Sequence, residues 1–292
     1  MNPGLLLISL AAISWGTTGV TMTLLARETS AGPLLVGFVR MAVAAPLLLV
    51  AARVAEGPWR LGWRRDGLAC LALGAFMAAY QVCYFSAVAL TGIAVTALLA
   101  ICSAPLMIAL LAVLWLGERL TPQLALSLAM GVVGTGLLVT RPGEAGAIGS
   151  AFLPGAGLAL GAGLAYALYA VVAKASLGRV APLPLAALTF SVAAVALTPV
   201  LLGESRVIAQ LAAGWALFLY LGVVPTALAY TLYTLGLRRT PATVAGIVTL
   251  LEPLTATALG VGLFGERLGV GGVFGAVLLL GAIALLALKR GA

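Results

Sequence analysis

Val244-Ala245-Gly246-Ile247-Val248-Thr249-Leu250-Leu251-Glu252-Pro253-Leu254-Thr255-Ala256-Thr257 sets one carboxylate and one proline side by side in an otherwise apolar run. Of the eight acidic residues in the chain, Glu252 is the one that falls neither in nor beside a connection between apolar segments. A charge at the centre of a bilayer costs at least ~2.5–3.5 kcal/mol on insertion scales, so it is expected to face a cavity or a partner. Pro253 removes a helical hydrogen bond and kinks the helix that carries it. The expectation is one apolar helix over residues 241–264 with a charge and a kink at its middle.

The rest of the chain is equally apolar. Across 292 residues, 63% are hydrophobic and 8% charged, with a mean hydropathy of +1.19. A soluble domain carries about 25% charged residues. A water-soluble fold could not hide this much apolar surface, so the solvent is lipid. About 20 apolar residues cross a bilayer core of about 30 Å, and ten segments meet that measure: roughly 4–26, 33–53, 67–89, 93–116, 123–140, 153–174, 184–203, 213–237, 241–264 and 270–288. Tight turns at Thr91-Gly92 and Arg238-Arg239-Thr240-Pro241 divide the hardest pairs. The fold class is all-α integral membrane with ten transmembrane helices.

With a cytoplasmic N-terminus, the inner connections hold Arg53, Arg60, Arg64, Arg65, Arg119, Lys174, Arg179, Arg238, Arg239, Lys289 and Arg290. The outer ones hold Arg27, Arg141, Arg206 and Arg267. Eleven against four is a positive-inside pattern with both termini cytoplasmic. It also accounts for the net charge of +8 without a nucleic-acid partner. The chain repeats itself as well. A shift of 148 residues carries Pro105-Leu106 onto Pro253-Leu254, and Gly117-Glu118-Arg119-Leu120 onto Gly265-Glu266-Arg267-Leu268. Five spans per repeat is an odd number, so the second half inserts upside down. Such inverted repeats are common in secondary transporters, whose sites lie near the midplane. The organisation read from this is a first repeat over 1–141, a Pro/Gly-rich linker over 142–152 and a second, inverted repeat over 153–292.

Other classes are disfavoured by what the chain lacks. It has no histidine, so His-based metal sites and Ser-His catalysis are excluded. Cys70, Cys83 and Cys102 fall inside spans with no metal spacing. The single Asp, Asp66, lies in a loop, which leaves few groups for acid/base chemistry by a membrane-embedded enzyme. No phosphate-cradling Gly-x-x-x-x-Gly-Lys-Ser/Thr loop is present. No cofactor and no metal are expected. The remaining classes are a secondary carrier and, less favoured, a passive channel.

Ten spans in two five-span halves, each with a mid-membrane proline and a following Gly-Glu-Arg, resemble the drug/metabolite transporter superfamily and its EamA-type ten-helix exporters. Ser14-Trp15-Gly16 in the first span, Arg40 in the second and Glu252-Pro253 in the ninth match as well. Two departures stand out. The sixth span has Tyr166-Ala167 where the family often has Trp-Ala, although Lys174 follows at the usual distance. The first half has Ala104-Pro105, so the carboxylate occurs in one repeat only. The resemblance implies export of amino acids, aromatic ones among them, or of drugs and other amphipathic metabolites, from the plasma (inner) membrane of a bacterium. Its partners are then a small-molecule substrate and the bilayer, with monomer and homodimer both open.

The candidate substrate-binding residues follow from depth and spacing. Glu252 either binds a substrate ammonium or carries a proton; alternatively it is a protonated structural group bonded to carbonyls freed by Pro253, including that of Thr249. Arg40 either takes a substrate carboxylate in paired bonds or snorkels and pairs within the bundle. Met77, Tyr80, Gln81 and Tyr84 share one helical face. Tyr166, Tyr169, Tyr230, Tyr233 and Trp15 add aromatic surface at mid-depth, where their polar tips need partners. Pro46, Pro105, Pro199, Pro225 and Pro253 are read as mid-span interruptions and candidate hinges. Trp59, Trp63, Trp115 and Trp215 fall near span ends, as interface anchors do. The Gly-Glu-Arg turns are expected to fix helix ends by ion pairing. Gly157-x-x-x-Gly161 and Gly271-x-x-x-Gly275 are expected to allow close helix approach.

Overall fold

The computed structural model describes residues 3–58, 63–139, 151–265 and 267–288. The 142–150 part of the linker, Trp59, Arg60, Arg141, Glu266, Lys289 and Arg290 lie outside the described residues, as do the side chains of Trp63 and Arg64. Among the described residues, ten helices are long and apolar enough to cross a membrane: α1 Pro3–Glu28, α2 Pro33–Glu56, α3 Arg65–Gly92, α4 Val95–Leu116, α5 Pro122–Val139, α6 Phe152–Ser176, α7 Pro182–Leu202, α8 Trp215–Arg238, α9 Ala242–Phe264 and α10 Val270–Ala287. Their limits fall within a few residues of those expected from hydropathy. Proline opens α2 and α7, where its missing N–H leaves nothing unsatisfied. Trp115 and Trp215 are 59% and 66% exposed near span ends.

Helix ends explain the Gly-Glu motif. Gly117 and Gly265 adopt φ of +66° and +68°, a left-handed conformation that costs a glycine little and that commonly stops a helix. Behind Gly117, the Glu118 N–H returns to the Ala112 carbonyl at 3.1 Å, which closes the last turn of α4. The Glu118 side chain, however, does not do what was expected. Its carboxylate accepts the backbone N–H of Ala242 at 2.6 Å and of Thr243 at 3.0 Å, so it caps the start of α9 instead of fixing the end of α4 by ion pairing.

The bundle core is one apolar cluster drawn from both halves, including Ile8, Met41, Leu48, Leu73, Met77, Ile108, Leu185, Phe190 and Ile247. Counterpart spans pack on each other, α2 on α7 and α5 on α10, while α3 and α4 pack on α6, and α1 on α8. The α5–α10 crossing is tight at Gly134 and Gly275, each of whose missing Cβ faces the other's carbonyl. Gly157 and Gly271, by contrast, meet nothing within 4 Å. Close approach therefore uses Gly275 of the expected Gly271-x-x-x-Gly275 motif, with a partner, Gly134, outside both motifs.

The prolines do not behave as a set. Pro46 and Pro105 sit inside continuous helix. Pro199 lies in a 3-10 turn, Thr198–Leu202, at the end of α7, so it is no mid-span interruption. Pro225 lies in a π-turn, Val223–Leu228, within α8. The expected single helix around Glu252 is in fact two, Ala242–Val248 and Leu251–Phe264. Pro253 cannot supply an N–H to the Thr249 carbonyl, and its ring crowds that carbonyl in a regular helix. The Thr249 carbonyl instead accepts the Glu252 N–H at 2.9 Å, and Leu250 N–H reaches Ile247 at 3.1 Å. These shorter i→i−3 bonds tighten the chain and restart it. Glu252 is thus a first-turn residue of a half-helix, where the amide dipoles favour negative charge.

Candidate functional site

The restart of α9 abuts α1. A side chain at Gly16 would collide with the Glu252 carbonyl and with Thr255, so only glycine allows the two backbones this close. One residue earlier, Trp15 carries the aromatic cluster. Its ring centroid lies 4.8 Å from that of Tyr230, 5.3 Å from Tyr233 and 6.4 Å from Tyr166. Tyr169 stacks on Tyr233 at 6.3 Å, and Phe190 of α7 meets Tyr230 edge-on at 4.6 Å. Trp15, Tyr169, Tyr230, Tyr233 and Phe190 are buried. They form a closed aromatic floor. The hydroxyls of Tyr166, Tyr169 and Tyr233 and the Nε1 of Trp15 have no hydrogen-bond partner among the described residues.

Above the floor the residues are partly open. Tyr80, Tyr84, Tyr166 and Glu252 are each of intermediate exposure. Tyr80 lies 5.7 Å from Tyr84 and 5.9 Å from Tyr166, ring to ring. Glu252 lies within Coulombic reach of Arg40, Tyr80, Tyr84, Tyr166 and Tyr230. Counted from Ala242, Glu252 is ten residues in, roughly 15 Å of helix, or half the hydrocarbon thickness. Its carboxylate has no hydrogen-bond partner among the described residues, and the Thr249 carbonyl is already taken by the Glu252 backbone.

Arg40 comes in from α2 and is 8% exposed. Its Nε donates to Thr226 Oγ1 at 3.2 Å. Among the described residues its terminal amino groups have no hydrogen-bond partner, and no ion pair closes onto Glu252. Arg40 and Glu252 therefore influence each other electrostatically beside Tyr80 and Tyr84, without a direct contact between them among the described residues. Met77 and Gln81 are placed elsewhere. Met77 is fully buried in the core, and Gln81, 2% exposed, donates to the Gly37 carbonyl at 3.5 Å. Both pack within the bundle, whereas Tyr80 and Tyr84 are partly exposed and contact each other, with Tyr80 also beside Tyr166. Phe190 and Thr226 are the members that sequence reasoning missed. A lone Phe or Thr in an apolar span carries no periodic signal.

At one end of the bundle a recess of about 410 Å³ is lined by Leu116, Glu118, Lys174, Arg238, Arg239, Thr240 and Pro241. It is distant in sequence and character from the aromatic site. Lys174 Nζ donates to the Leu237 carbonyl at 2.8 Å. Glu118 and Lys174 thereby cap the two helix ends that flank the α8–α9 turn, and they tie α4 and α6 to α8 and α9.

This ten-helix bundle is a membrane transporter, the class that its family and relatives share. The chain belongs to the EamA-like transporter family, within the drug/metabolite transporter superfamily: the family model matches residues 2–140 and again residues 153–288. The uncharacterized transporter YwfM of Bacillus subtilis is 34% identical over 288 residues, which cover 98% of this chain and 94% of that protein. An uncharacterized transporter of Archaeoglobus fulgidus is 30% identical over 200 residues, covering 68% and 69% respectively. A solved crystal structure superposes with a TM-score of 0.82 at 23% identity, covering 98% of this chain and 96% of that one, which attests to the shared fold.

Proposed function

We propose that this transporter is a secondary carrier that exports amino acids, aromatic ones among them, or related small metabolites across a bacterial plasma membrane. It does so by alternating access around the space between Arg40 and Glu252. One observation carries the reading: Arg40 and Glu252 lie within electrostatic reach of one another beside Tyr80, Tyr84 and Tyr166, without a direct ion pair between them among the described residues. A zwitterion suits such a pair of groups. Its carboxylate matches the guanidinium fork, its ammonium matches Glu252, and an aromatic side chain stacks on the tyrosines. The lysine and arginine distribution supports cytoplasmic termini. In that orientation the capped α8–α9 turn lies on the cytoplasmic side.

Purified protein in liposomes, preloaded with unlabelled amino acid, tests the reading by counterflow of labelled phenylalanine, tyrosine, leucine and threonine, with and without a pH gradient. Saturable counterflow of at least one is expected. Its absence across the panel removes the amino-acid assignment. Export of amphipathic cations is the second reading, favoured by the same tyrosines together with Glu252. Aromatic amines without a carboxylate separate the two, because they do not engage Arg40.

A further inference from the structure

Pro225 has no N–H, so the carbonyl four residues earlier, that of Leu221, loses the partner a regular helix would give it. The chain answers with the π-turn Val223–Leu228, a local widening that recurs at functional sites. Within it, the Thr226 hydroxyl donates to the Leu221 carbonyl at 2.6 Å. A hydroxyl has one proton. Once that proton is committed to Leu221, Thr226 Oγ1 can only accept, and what it accepts is Arg40 Nε–H at 3.2 Å. Thr226 is fully buried, so water does not compete for either bond.

We propose that Thr226 is a positioning residue for Arg40, and that the Pro225 π-turn is the device that aims the guanidinium at a substrate carboxylate. With Nε held, the plane of the group is fixed and its end-on pair of amino groups is left free, the edge that takes a carboxylate in two parallel bonds. The direction of the relay, Arg40 to Thr226 to Leu221, is set by a missing proton on a proline 185 residues away in sequence. This inference rests on the reading of Arg40 as the carboxylate site. It adds the residue that gives the site its selectivity for acids.

Counterflow in proteoliposomes with phenylalanine and phenylalaninamide, on wild type and variants, tests it. Wild type is expected to prefer the acid. Thr226→Val should raise KM for phenylalanine on the order of tenfold, as when a charge-assisted hydrogen bond no longer holds its donor, and leave the amide unchanged. Thr226→Ser should restore the acid. Should Thr226→Val misfold, the double variant Pro225→Ala, Thr226→Val gives Leu221 a backbone N–H again while Arg40 still lacks its acceptor. Continued loss of acid preference in the double variant supports positioning. Recovery of that preference shows that Thr226 merely satisfies the backbone, and overturns the inference. Wild type that does not distinguish acid from amide instead removes the Arg40 reading, and the inference with it.

Discussion

The same proline closes two different structures. In α4, Ala104-Pro105 sits in continuous helix, with Ala104 buried and packed against Gly163 of α6. In α9, 148 residues later, Glu252-Pro253 follows a break at Thr249-Leu250, and Glu252 is partly exposed where Ala104 is buried. The neighbours differ in the same sense: α3 is continuous up to Gly92, while its counterpart α8 carries the Pro225 π-turn. A proline permits a break without dictating one. The difference teaches that two halves matching one family model need not share a backbone. Here both halves deform at the site: α1 breaks at Thr17, between Pro3–Gly16 and Thr18–Glu28, while the second half adds the Pro225 π-turn and the Thr249-Leu250 break.

The contrast can be broken most forcefully by copying the carboxylate into the closed half. Ala104→Glu places a charge where no cavity receives it, and should destabilise the protein by about 2.5–3.5 kcal/mol. A lowered unfolding midpoint in detergent checks this; an unchanged midpoint means that α4 can open as α9 does. The converse, Glu252→Gln, should leave that midpoint close to wild type yet cut counterflow about tenfold to a hundredfold, from loss of a charge-assisted contact of about 1.5–3 kcal/mol. Unaltered counterflow and pH dependence in this variant would leave Glu252 without a functional role.

Smaller effects sharpen the comparison. Glu118→Ala removes the cap from α9 and should cost about 0.5–2 kcal/mol, read as faster hydrogen exchange at the Ala242 and Thr243 amides while α4 amides hold. The prolines themselves come last. Pro105→Ala supplies an N–H within continuous helix and should stabilise by about 1 kcal/mol, the net worth of one hydrogen bond. Pro253→Ala should gain little, because the Thr249 carbonyl is already occupied by Glu252 N–H. Equal gains in thermal midpoint would mean that the α9 break is no more than the proline's own doing.

Much of the candidate site's grouping was legible in advance, and for a definite reason. A charge in an apolar span stands out against lipid, so Glu252 and Arg40 declared themselves, as did tyrosines whose hydroxyls need partners at mid-depth. Met77 and Gln81 share a face with Tyr80 and Tyr84 by periodicity, yet they are buried while the tyrosines are partly exposed, because one helical face is wide enough to present both kinds of position. Glu118 looked like a local ion-pairing residue and instead caps a helix 124 residues away. Spacing along one helix cannot report which other helix end comes within reach.

What the sequence determined alone is the solvent and the span count: runs of about 20 apolar residues leave the backbone no arrangement in lipid other than helices that satisfy themselves. Only tertiary packing decided where those helices break. Whether a proline yields a kink, a π-turn or a restart depends on the group that takes the freed carbonyl. At Leu221 it is the Thr226 hydroxyl, which also holds Arg40; at Thr249 it is the Glu252 amide.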